Sequence, residues 1–121
     1  WTAQYYNNKE LSGAPVVQHT YPSLGFNWGW GAPAAGINAD NFSARFTNLS
    51  NVSGGTYRIT LRTDDGARVY VDNMLVIDAW RIPPVTGYFV DVAIPRGLHT
   101  FTVEYFENDQ LAELSLTVQK R

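Results

Sequence analysis

Two neighbouring carboxylates, Asp64 and Asp65, stand in Thr63-Asp64-Asp65-Gly66, between one run of alternating residues and the next. In a regular strand successive side chains point to opposite faces, so this pair can aim at one point only if the backbone bends sharply or the peptide between them is cis. A hard divalent cation held by both carboxylates would give the chain a reason to converge them. The competing reading is a polar Asp-Asp-Gly turn joining two strands, a common use of these residue types. Spacing alone leaves both open.

Other reactive groups are sparse. His19 and His99 fall in separate runs, and neither reads as a ligand or as half of a catalytic dyad. The chain has no Cys, hence no disulfide framework and no thiol nucleophile or thiolate metal site, and no Ser sits in an elbow sequence. Glu104 and Glu107 are close in sequence. A glycosidase needs two carboxyls about 5–10 Å apart, but nothing around these two marks a cleft or raises a pKa. The expectation is a protein that is not an enzyme.

Composition sets the class. The 121 residues are 45% hydrophobic, 14% aromatic and 17% charged, the profile of one globular domain with a true core. A net charge of −2, with no Lys or Arg cluster, gives a nucleic-acid backbone nothing to bind. No apolar run of about 18 residues is present, so membrane insertion is not expected. The chain opens on Trp1 without Met or a leader, and it is expected to be a module, residues 1–121, excised or processed from a larger protein.

Period-2 patterning supplies the elements. Thr2–Tyr6 and Pro15–Thr20 are short runs, and Phe42, Ala44 and Phe46 alternate with Ser43 and Arg45. Tyr57, Ile59 and Leu61, then Val69 and Val71, then Tyr88 to Ile94, Phe101 to Tyr105, and Leu114 to Val118 repeat the pattern. Asp72-Asn73 suits a two-residue hairpin, since both types tolerate positive φ. From Tyr21 to Ile37 no period is visible, which predicts a long loop. Eight or nine strands punctuated by Gly and Pro predict an all-β antiparallel β-sandwich with Tyr57, Ile59, Leu61, Val69, Val71, Phe101, Val103, Leu114 and Leu116 inward. Trp1 and Tyr5-Tyr6 are expected to pack an edge strand, and Trp80 to cap the core beside the hairpin.

The order of these signals resembles the domain family named after the fourteen-kilodalton N-terminal piece of anthrax protective antigen. The residues that carry the likeness are Ala3-Gln4-Tyr5-Tyr6-Asn7, Phe26-Asn27-Trp28-Gly29, Phe42-Ser43-Ala44-Arg45-Phe46 and Gly55-Thr56-Tyr57 leading into Thr63-Asp64-Asp65-Gly66. Val69-Tyr70-Val71-Asp72, Val76-Ile77-Asp78, Trp80 and Val103-Glu104-Tyr105-Phe106 complete it, nearly end to end. Asn73 departs from the family's usual hairpin Gly but can adopt the same left-handed conformation.

The resemblance implies a β-sandwich module of the kind found in toxins, flocculins, surface adhesins and glycosidases. In its sugar-binding members an aspartate pair joined by a cis peptide holds calcium, which holds sugar hydroxyls. Asp64 and Asp65 match that pair. A second loop there supplies an Asn side chain and backbone carbonyls. In Glu107-Asn108-Asp109-Gln110-Leu111-Ala112 the match is Asn108, with Asp109 as rival and the carbonyls of Gln110 and Ala112 as further ligands. Trp28 fits an end plug of the sandwich, whereas Trp30, or the Arg81–Gly87 loop, is the candidate to face a sugar. The resulting expectation is a secreted or cell-surface, calcium-dependent carbohydrate-binding module. The alternative is a structural module that packs on neighbouring domains or on copies of itself, and a third reading is an accessory domain of a glycosidase. Sequons at Asn41, Asn48 and Asn51 are read as chance occurrences.

Overall fold

A computed structural model describes residues 1–29, 31–80, 86–108 and 112–121, with Thr86 described by its backbone alone. Ten strands appear among them. β1 (Thr2–Tyr6), β2 (Val17–Thr20), β4 (Phe42–Val52), β6 (Gly66–Val71), β7 (Met74–Ala79) and β9 (Gly97–Glu107) form a six-stranded sheet in the order β2-β1-β4-β9-β6-β7. β3 (Leu24–Gly29), β5 (Gly55–Asp64), β8 (Thr86–Ile94) and β10 (Ala112–Lys120) form a four-stranded sheet in the order β3-β10-β5-β8. The pairings are antiparallel. The expected all-β antiparallel β-sandwich is the fold.

Alternation places the core between the sheets. All nine residues expected inward are buried, none more than 8% exposed. The six-stranded sheet adds Ala3, Tyr5, Phe42, Ala44, Phe46 and Tyr105, and the cluster includes Leu24 and Ala112 from the other sheet. Asp72 and Asn73 take φ of 50° and 65°, the left-handed pair that a two-residue hairpin with the strands' own twist requires. Asp72 also accepts a 2.9 Å bond from the Thr100 amide and pairs with His99 Nδ1, so His99 serves the hairpin.

The structure corrects three expectations. Leu24–Gly29, inside the stretch read as a loop, is the edge strand β3. Its Phe26 and Trp28 stack at 4.9 Å on the core side, but the glycines around them and the absence of β-branched residues hide the period. Trp1 and Tyr5-Tyr6 do not pack an edge strand, because β1 lies inside the sheet between β2 and β4. Trp80 does not cap the core. Its ring lies 4.6 Å from Phe106, which is out of phase with inward Tyr105 and therefore on the outer face, and Arg68 covers it at 4.0 Å.

Four crossings join the sheets within the described residues. β2 passes to β3 through Tyr21-Pro22-Ser23, β4 to β5 through Ser53-Gly54, β5 to β6 through Asp65, and β8 to β9 through Pro95-Arg96. A Cβ on Gly54 would lie 2.9 Å from the Arg96 amide nitrogen, so only glycine lets the β4–β5 and β8–β9 crossings touch. The carboxyl end lies at that pole too, the Arg121 amide donating to Thr56, next to Gly55. The amino end stands midway along the sheet, with Thr2 opposite Thr47 of β4 and the Trp1 ammonium donating to the Tyr21 carbonyl. The Asp64–Asp65 crossing occupies the opposite pole.

Phe46 is fully buried between Tyr5, at 6.1 Å edge to face, and Phe26, at 5.7 Å. Truncating it to Ala removes a ring that the surroundings cannot refill, a loss of about 3–5 kcal/mol. Urea unfolding of Phe46→Ala should show that fall at an unchanged m-value.

Candidate functional site

The site is built where β5 ends and β6 begins. The Asp64-Asp65 peptide is cis. Asp64 still pairs in register with Glu113 of β10, while Gly66 already pairs with Phe106 of β9, so the dipeptide carries the chain from one sheet to the other. Two hydroxyls from within the sandwich hold it. Tyr105 donates to the Asp64 carbonyl, and buried Thr63 donates to the Asp65 carbonyl at 3.1 Å.

Carboxylate oxygens of Asp64, Asp65 and Glu107 lie within 4.8 Å of one another, with Asp65 and Glu107 buried and Asp64 partly so. Glu107 has no exposed surface, and neither of its carboxylate oxygens meets a hydrogen-bond partner. Burial, and then Asp65, Asp64 and Asp40, push its carboxyl up to about 10. Burial, and then Glu107, Asp65 and Asp64, raise Tyr105 well above the ordinary tyrosine range. Such a cluster needs a proton or a cation between its members, since like charges at this separation cannot all remain ionised unaided. Its donors are all hard oxygens, the set that fits calcium; the cluster holds no His, which a softer metal would favour.

Asn108 is beside this cluster, and its groups are already engaged. Its amide donates to Asp65 Oδ2 at 2.8 Å, its carbonyl accepts from the Asn41 amide at 3.2 Å, and its side-chain Oδ1 accepts from Lys9 Nζ at 2.8 Å. Ala112 opens β10 opposite Gly29, one residue before the Glu113–Asp64 pair. Trp30, Asp109, Gln110 and residues 81–85 of the proposed rim lie outside the described residues. Trp28 contacts Phe26, Phe42 and Tyr105 and so is an end plug.

Sequence reasoning passed over Glu107, finding nothing that would raise a pKa there. The structure corrects this, because burial and the aspartates do raise it. Its signal was phase: Phe101, Val103, Tyr105 and Glu107 share one face of β9, so the alternation that marks the core also points this carboxylate inward.

The PA14 domain family matches residues 2–120. The anti-sigma-I factor RsgI3 of Acetivibrio thermocellus is 31% identical over 115 residues, or 93% of this chain. The chain spans only 18% of that relative's length. A solved anti-sigma factor domain-containing protein superposes with a TM-score of 0.91 at 29% identity, over 99% of this chain and 42% of that one. The PA14 sugar-binding domain of an RTX adhesin superposes at 0.75 with 16% identity, over 98% of this chain and 88% of the other, a likeness of fold.

The raised Glu107 carboxyl has a consequence for stability. With divalent ions chelated, the folded chain holds a proton that the unfolded chain releases above the ordinary glutamate pKa of about 4.3. This contribution is fully present below that value and is lost as pH rises towards about 10. Thermal unfolding in chelator should therefore show a midpoint that falls from pH 5 to 9. Glu107→Gln, which cannot titrate, should flatten that fall.

Proposed function

This chain belongs to the PA14 domain family, and from that premise we propose that it is a calcium-dependent carbohydrate-binding module of a secreted or cell-surface protein. One observation carries the reading: Asp64, Asp65 and Glu107 bring carboxylate oxygens within 4.8 Å of one another, and the buried Glu107 oxygens meet no donor. Asp64, Asp65 and Glu107 would hold the ion. The Asn108 side chain, on releasing Lys9, and the carbonyls of Gln110 and Ala112 would add to them. Calcium takes about 6–8 oxygen ligands, so such a set leaves positions for vicinal sugar hydroxyls. The chain's own part is to keep these oxygens in place: Tyr105 and Thr63 fix the two aspartate carbonyls, and the Asn108 amide orients Asp65. Trp30 and the 81–87 loop are proposed to face the sugar ring.

Binding is favoured over catalysis because the carboxylates crowd on one point instead of flanking a substrate bond. The relatives named as anti-sigma factors extend far beyond the region they share with this chain, which supports a ligand-reading module within a longer protein. On this reading its partners are a glycan and the neighbouring domains.

Calorimetry with calcium should give one site per chain, with an affinity that rises from pH 6 to 8 as Glu107 surrenders its proton. Asp65→Ala should abolish the heat, and chelator should remove binding on a glycan array. Flat calcium titrations for both proteins would overturn the cation reading. Glycan binding that chelator leaves intact would show that the ion is not part of recognition.

A further inference from the structure

The outer face of the six-stranded sheet holds an open depression of about 420 Å³ whose lining includes Arg45, Thr47, Tyr70, Thr100, Thr102 and Glu104. These residues are in register. Thr47, Thr102 and Tyr70 are direct neighbours on β4, β9 and β6, and Arg45, Glu104 and Arg68 form the parallel row two residues along. At about 3.3 Å per residue, Thr100 to Glu104 gives a floor about 13 Å long. Across it, two strand spacings of about 4.8 Å give a width of about 10 Å. The floor is longer than one pyranose ring.

Its chemistry is specific. Arg45 is fixed by bonds of 3.1 and 2.8 Å to Glu104 Oε2 and by one of 3.3 Å to the Tyr6 hydroxyl, while Arg68 takes Glu104 Oε1 at 3.0 Å. Asp78 is the next neighbour of Arg68 on β7, so two cations and two anions cancel along the row. The groove therefore presents fixed donors and acceptors with no net charge to attract an ionic partner. The groove's lining includes none of the exposed large hydrophobic side chains that would anchor a protein. Tyr70 forms one wall where the β6–β7 register shifts between Val69 and Tyr70, the kind of irregularity that re-aims a side chain. An aromatic wall beside a rigid polar floor matches the two surfaces of a sugar, its C–H face and its hydroxyl edge.

We propose that this sheet face is a second binding groove, independent of any cation, for a linear neutral glycan that lies across β4, β9 and β6. It goes beyond the end-on cation site, because Glu104 and Glu107 are on opposite faces of β9 and the groove uses none of the Asp64–Asp65 cluster. Tyr70 would stack on a ring, and Thr47, Thr102 and Arg45 would take hydroxyls.

The test is a titration of the isotope-labelled chain in chelator with linear hexasaccharides of glucose, xylose and mannose, followed by amide shifts. Saturable shifts centred on Thr47, Tyr70 and Thr102 are expected with at least one of them, and adding calcium should leave that affinity unchanged. Tyr70→Ala should weaken binding at least tenfold, and Thr47→Val, a β-compatible change that keeps the fold, severalfold. The proposal is overturned if none of the three hexasaccharides shifts this face, if shifts gather only at the Asp64–Asp65 pole, or if a folded Tyr70→Ala binds like the parent. Calcium calorimetry reads the cation site separately, so the two readings can fail independently.

Discussion

Between Asp64 and Asp65 the chain leaves the four-stranded sheet and joins the six-stranded one, and two hydroxyls hold it there. The geometry of the pole follows from that passage. Tyr105 is at once a core residue, packed on Trp28 and Phe42, and the donor to the Asp64 carbonyl. The same ring thus ties the sandwich's packing to the position of the carboxylates. Loosening the aromatic layer of Phe26, Trp28 and Phe42 would be felt at the acidic cluster without any change in a charged residue.

β9 shows how one strand assigns opposite fates to one residue type. Glu104 and Glu107 are three positions apart and so face opposite sides of the sheet. Glu104 meets two guanidinium groups, Arg45 at 2.8 Å and Arg68 at 3.0 Å. Glu107 sits beside the carboxylates of Asp64 and Asp65, and burial first and then those neighbours push it up to about 10. Their surroundings differ in both partner and depth: Glu104, 9% exposed, is held by guanidinium groups, whereas Glu107 is fully enclosed beside two aspartates.

Much of this was legible in the residues. Period-2 runs identified the core strands, and Asp72-Asn73 announced its hairpin. Thr63-Asp64-Asp65-Gly66 marked the place where strand geometry had to change. What stayed hidden depends on contacts between distant segments. β3 lacks β-branched residues and is made a strand by pairing with β10, which no local pattern encodes. Trp80 reads as a core aromatic until Phe106 and Arg68 are seen to enclose it on the outer face. Glu107 sits on the core phase of β9, yet its meaning appears only when β5 delivers two aspartates beside it.

The chain's carboxyl end lies at one pole and the acidic cluster at the other, with β10, nine residues long, spanning the distance between them. At about 3.3 Å per residue that is roughly 26 Å along the strand. The carboxyl terminus therefore stands on the far side of the domain from the carboxylates. Seen from that end, the carboxylates form the domain's tip, and the outer sheet face with Thr47, Tyr70 and Thr102 lies along its flank. On the two proposed readings, a polymer lying across the flank and a chain terminus caught at the tip would approach from perpendicular directions, so neither would obstruct the other.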